Sequence, residues 1–209
     1  MKKLIYTNGQ YYIWQLTGKE CLRELAEFVV KENYKHHVGD FSYESIKDEI
    51  YSIYREELQY IDSSTIFVVR NDTGKIIGSI RVFKWDRKTP LSLEKIFGIN
   101  PLMTIHSESD YSYWHVGRFA IDSFAGTPTI TLFKQLMVYA VHPIVCDVKS
   151  YMIAETDSKL LKVMNALGIE TVQIGQSINY LASETVPVCS SKNGLMLFYK
   201  HYKNLYQVS

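Results

Sequence analysis

The segment Trp114-His115-Val116-Gly117-Arg118-Phe119-Ala120-Ile121-Asp122 constrains this chain more than any other. Its aromatic and β-branched content predicts a strand, and Ser123 to Gly126 forms a short turn into a helical pattern. Thr127 suits an N-cap and Pro128 the first helical position, where its missing N–H costs nothing. A strand, a glycine-bearing turn and a helix N-terminus present free backbone N–H groups and a favourable dipole to an anion such as phosphate. The strand also carries His115 and Arg118 among apolar residues. Such groups enter buried elements when they are paired or used.

The 209 residues, 46% hydrophobic and 22% charged, suffice for one domain with a real core, spanning 1–209. A net charge of +1 offers no field for nucleic acid and no basic tail for membranes. No long apolar run predicts a transmembrane segment, and Met1-Lys2-Lys3-Leu4 opens too short an apolar stretch for a signal peptide. Cys21, Cys146 and Cys189 are widely spaced and read as reduced thiols of a cytoplasmic protein, not as a disulfide framework or zinc site. Sixteen tyrosines and nine phenylalanines fit either compositional bias or an apolar groove for a long ligand.

Periodicity orders the rest. Residues 2–7 and 11–17 predict strands around the turn Asn8-Gly9, and helices follow over 19–34 and 43–58. Thr65 to Arg70, the turn Asn71 to Gly74 and Lys75 to Trp85 form a hairpin. A short helix over 92–97 and a polar loop to Tyr111 precede the strand at 112–121. A helix over 128–141 is expected to stop before Pro143, followed by a strand at 148–154 and a helix to Leu167 closed by Gly168. Strand-like pieces remain at 171–174, 178–182 and 194–201. The pattern predicts an α/β (α+β) architecture, a mixed sheet flanked by helices.

Arg118 reads either as a structural ion pair or as a fork for a carboxylate, on substrate or on an acidic side chain. His115 is a satisfied core residue or a general base. Three residues apart, the two point to opposite faces of a regular strand, so sharing one pocket requires a bulge or splayed strands. Arg81 gains meaning only through Glu57 or Asp62, which are placed to reach it or Arg118; weak surface pairing is the plain alternative. His36-His37 points in two directions and does not suggest a shared metal. No metal-ligand, Walker or nucleophile-elbow spacing is present.

Read in order, several of these segments resemble acyl-homoserine-lactone synthases and the related N-acyl amino acid synthases. The similarity runs through Leu58 to Arg70, Ile76 to Val82, Pro90-Leu91-Ser92-Leu93-Glu94-Lys95-Ile96-Phe97 and Trp114 to Asp122, and covers roughly 55 to 175. The resemblance implies a GNAT-like fold with a mostly antiparallel central sheet and a splayed central strand pair. It implies an acyl-CoA or an acyl-phosphopantetheine thioester on acyl carrier protein as co-substrate, without a metal. The thioester arm would lie along Phe119, Ala120 and Ile121, its phosphate at Gly126, Thr127 and Thr129.

The chain departs from this group in three places. His115 replaces the strand glutamate, only Gly126 remains of the pyrophosphate signature, and Met164 stands where many acetyltransferases place a tyrosine. The leading expectation is an N-acyltransferase acting on a small amine, an amino acid foremost, with His115 as base and Arg118 and Arg81 building an acidic network or holding the acceptor carboxylate. A catalytically degenerate acyl-binding module and an acetyl-CoA-dependent N-acetyltransferase are the alternatives.

Overall fold

The computed structural model describes residues 2–16, 18–105, 110–180 and 183–207. Its strands are β1 (Lys2–Thr7), β2 (Tyr11–Leu16), β3 (Ser64–Asn71), β4 (Ile76–Lys84), β5 (Ser112–Ile121), β6 (Ser150–Asp157), β7 (Val172–Gln173), β8 (Ile178–Tyr180) and β9 (Ser183–Ser191). They form one sheet in the order β1-β2-β3-β4-β5-β6-β9-β7, with β8 also on β9. Every pairing is antiparallel except β5 with β6. The helices are α1 (Leu22–His37), α2 (Tyr43–Tyr60), α3 (Ser92–Phe97), α4 (Pro101–Thr104), α5 (Thr129–Cys146), α6 (Ser158–Ala166) and α7 (Lys192–Tyr202).

Strand alternation divides the core between two faces. Phe67, Val69, Ile80 and Val82 pack with Leu136, Val138 and Ala140 of α5 and with Leu195 and Phe198 of α7. Ile66, Val68 and Ile76 pack on the other face with Leu22, Leu25 and Val29 of α1. α2 then covers α1 through Ile46, Ile50 and Ile53 against Ala26 and Val30. Among the described residues only α5 is long and apolar enough to cross a bilayer, and 61% of it is buried inside this core.

Two irregularities break the regular ladder in the centre of the sheet. Between β4 and β5, Ser79 faces Ala120 while Arg81 faces Gly117, so β5 carries one extra residue. Arg118 lies in that bulge with φ +54°, in the left-handed region. Between β5 and β6, pairing runs from Ser112↔Ser150 to His115↔Ile153 and stops there, although the strands continue to Ile121 and Asp157. The two strands therefore splay.

Several expectations need correction. Pro143 does not end the helix; α5 continues to Cys146, its last turn buried through Ile144 and Val145 and closed by the Asp147 N–H on Pro143 and Ile144 oxygens. The N-cap of α5 is Pro128 rather than Thr127, and no side chain caps it. Residues 194–201 are helical, because Ser191 caps the segment (Gly194 N–H to Oγ, 3.2 Å) and Leu195 and Phe198 bury one helical face. β9, with Pro187 in its middle, was not foreseen. Thr17, Leu181, Ala182 and part of the loop before Tyr111 lie outside the described residues.

Candidate active site

The bulge resolves the conflict between His115 and Arg118 by turning both to one side of the sheet, where α2 supplies carboxylates. Arg118 Nε donates to Glu57 Oε1 at 2.6 Å, and its Nη2 lies 2.8 Å from Glu56 Oε2. Arg81, from β4, also donates to Glu57 Oε1 through Nη1. Its Nη2 lies 3.1 Å from His115 Nδ1. His115 Nε2 lies 2.9 Å from Glu155 Oε2 on β6, and Ser92 Oγ donates to Glu155 Oε1 at 2.7 Å. Arg81, Glu57 and His115 are each at most 2% exposed. One continuous chain of charge thus links α2, β4, β5, β6 and the start of α3.

Hydrogen-bond logic assigns the imidazole. A guanidinium only donates, so Nδ1 must present its lone pair to Arg81 and Nε2 must carry the hydrogen given to Glu155. Both nitrogens of the expected base are therefore engaged. Burial pushes the Glu155 carboxyl up, but His115 beside it, the hydrogen bonds from His115 and Ser92, and the charge of Arg81 bring it down to about 2. Burial likewise raises Glu56, and Arg118 with Arg81 reverse this and hold it below the usual carboxylate range. Ser79, fully buried, donates through Oγ to the Arg118 carbonyl at 2.7 Å and fixes the bulge.

The splay opens beside this network. An inner cavity of about 110 Å³ lies between Val116 to Phe119 of β5 and Ala154 to Asp157 of β6, with Ser92 and Tyr180 on its wall. An outer cavity of about 360 Å³ is lined by Phe119, Ala120, Ile121 and Thr129, together with His36, His37 and Lys159. The two share Asn33, Phe119, Asp157 and Leu160. They form one cleft running from the start of α5 to the charged network.

The β5 backbone faces this cleft. The Asp122 N–H bonds to Ile77 of β4, and Ala120 stands opposite Ser79. By alternation, Phe119 and Ile121 turn their N–H and C=O groups to the open side. His36 Nε2, 3.4 Å from the Ile121 oxygen, marks that direction.

Of the residues singled out in the sequence, Arg81, Arg118 and His115 meet in one network, and Phe119, Ala120, Ile121 and Thr129 line the cleft. Gly126 and Thr127 lie in the turn and line neither cavity. Glu57 reaches both arginines, whereas Asp62 is exposed. Glu56, Glu155, Ser92 and Tyr180 were missed. A signal for Glu155 existed: an acid on an apolar strand, just past the expected end of that strand at Ala154.

No family model matches the chain, and no curated protein matches it. Solved structures do. The acyl-homoserine-lactone (AHL) synthase LasI is 19% identical with a TM-score of 0.58, covering 92% of this chain and 96% of its own. FeeM, an N-acyl amino acid synthase from uncultured soil microbes, is 17% identical with a TM-score of 0.55 over 87% and 90%. BjaI, a CoA-dependent acyl-homoserine lactone synthase solved with SAM and isopentyl-CoA, is 12% identical with a TM-score of 0.53 over 90% and 88%. At these identities the likeness is one of fold. The chain has the GNAT-like fold of these acyl-transferring synthases, with a mostly antiparallel sheet flanked by helices.

Proposed function

We propose that this chain is an N-acyltransferase that moves an acyl group from a phosphopantetheine thioester, on acyl carrier protein or coenzyme A, to the nitrogen of a small amine. The observation that carries this reading is the splay beyond His115↔Ile153, which leaves the polar backbone of β5 facing a cleft that ends at a buried charged network. The fold likeness to FeeM and to BjaI, the latter solved with an acyl-CoA, supports it.

The arm enters past Thr129 and lies along Phe119, Ala120 and Ile121, where the N–H groups of Phe119 and Ile121, turned away from β4, suit amide and thioester oxygens. The first turn of α5, which no side chain caps, faces the phosphate. The amine nitrogen attacks the thioester carbon, the C–N bond forms and the C–S bond breaks. The sulfur leaves as thiolate and ends as thiol with the proton shed by nitrogen. Positioning and oxyanion stabilisation supply the rate. Within this reading Glu155 meets the amine, His115 holds Glu155 in place, and Arg81 and Arg118 keep the α2 carboxylates in register.

The test is direct. Purified protein with acyl-carrier-protein and acyl-CoA donors of graded length and a pool of small amines should yield N-acyl products by mass spectrometry. Arg118→Ala should lower kcat/KM by about 100-fold, a typical loss for a misplaced site. A folded protein that consumes no thioester with any amine would refute the assignment. The engagement of both His115 nitrogens favours a second reading, a module that retains an acyl arm without turnover. Native mass spectrometry showing a retained acyl ligand, together with no product, would select that one.

A further inference from the structure

The inner cavity has two unlike sides, because the side chains of β6 alternate across the sheet. Glu155 faces His115 and Ser92. Met152 and Ala154 face the opposite way, and Met152 joins the core that holds Val116 of β5, Met137 of α5 and Met164 of α6. These side chains line the cavity, and none of them carries a nitrogen or an oxygen. The three methionines are each at most 2% exposed. Asn33, Phe119, Asp157 and Leu160, which the outer cavity shares, are only half-buried. The half-buried set is therefore the mouth, and the methionines are the floor.

The cavity measures about 110 Å³, and its charged and apolar sides divide that volume between them. A dry protein cavity of about 150 Å³ takes a benzene ring, so this one holds on the order of four carbons. No aromatic groove extends it. Of the tyrosines and phenylalanines among the described residues, only Phe119 and Tyr180 line the inner cavity. Others stack on one another instead, Tyr60 on Phe83 and Phe67 on Tyr139.

Resting on the acyl-transfer reading of the cleft, we infer that the transferred acyl group is short, about four carbons, and that Met137, Met152 and Met164 set its length. An amine that approaches on the Glu155 side leaves the methionine side to the acyl tail. Each methylene of the tail gains apolar contact until the floor is reached, and the next one must displace a packed core. Trimming Met164 to alanine removes Cγ, Sδ and Cε, and a core relaxes only partly around such a loss. The space left behind admits about three more carbons.

Calorimetry of the full chain tests this with S-methyl, S-butyl and S-heptyl phosphopantetheine, thioethers that carry the donor's arm and cannot transfer. S-butyl should bind about tenfold or more tighter than S-methyl, the gain from its extra buried methylenes, and about tenfold or more tighter than S-heptyl. Met164→Ala should raise S-heptyl affinity to that of S-butyl or above. Ala154→Val, which narrows the same side, should weaken S-butyl about tenfold and S-methyl far less, and it decides the matter if Met164→Ala does not fold. In turnover with an equimolar mixture of butyryl and octanoyl donors and the amine pool, N-butyryl product should prevail. S-heptyl binding to the unaltered chain as tightly as S-butyl, a preference unmoved in both variants, or octanoyl product in the majority overturns the inference and leaves acyl transfer standing. A chain that binds no phosphopantetheine and consumes no thioester loses the acyl-transfer reading, and this inference with it.

Discussion

Arg118 combines a left-handed backbone with a guanidinium shared between two glutamates. Ser79 holds the first of these, since its hydroxyl takes up the Arg118 carbonyl where the ladder breaks. Glu57 holds the second, because its Oε1 serves both arginines. Glu57→Ala leaves two buried guanidinium groups short of a counter-charge and should cost about 3–5 kcal/mol in urea unfolding. Gly117→Ala is subtler: an added Cβ would lie 3.1 Å from His115 Cε1 and 3.3 Å from Arg81 Nη2. The imidazole must shift by a few tenths of an ångström, which disturbs its bonds to Glu155 and Arg81, so acyl transfer should fall about tenfold or more while the melting temperature moves little, a displacement effect typical of preorganised sites. His115 and Arg118 were legible as polar residues in an apolar strand. Their shared side was not, because the bulge depends on Ser79, which belongs to another strand.

At the scale of elements, α5 does two jobs with its two ends. Its middle and last turns are buried against the sheet and α7, which is why Pro143 is carried inside the helix. Its first turn stays open at Thr129, on the cleft. Thr129→Glu should leave stability unchanged or slightly raised, by about 0.3–1 kcal/mol, because a carboxylate suits a helix N-terminus. The same charge should raise the KM for a phosphate-bearing thioester about tenfold, a repulsion of the size expected for one close charge; steady-state kinetics separates the two effects. The hairpin β3–β4, the helices α2 and α3 and the central strand could be read from local pattern, since turn residues and periodicity bound them. α7 could not, because Leu195, Met196, Leu197 and Phe198 make a dense apolar run that fits a strand as well as a helix. β9 was hidden by Pro187 and its serines, and its existence rests on pairing with β6, a long-range fact.

For the whole molecule, the depressed carboxylates set the response to acid. Glu155, Glu56, Asp122 and Asp147 all titrate below their ordinary values in the fold. Such a group stabilises the folded state fully above its unfolded pKa and ceases to do so as pH falls through its folded one. For Glu155 that window runs from 4.5 down to about 2. Burial also holds His37 and His142 below the ordinary imidazole value, so thermal melting should decline gently from neutral pH to about 5 and more steeply below about 4.5. A melting temperature that stays level as pH falls below about 4.5 would contradict this. The charged network also governs the order in which the chain can assemble. Its bonds join residues 24, 34, 40 and 61 positions apart, drawn from α2, β4, β5 and β6. A folding intermediate that docks some of these elements and not the rest would bury a charge with no partner. Partial versions of the site are therefore costly, and the network should close as one event, once α2, β4, β5 and β6 have all docked.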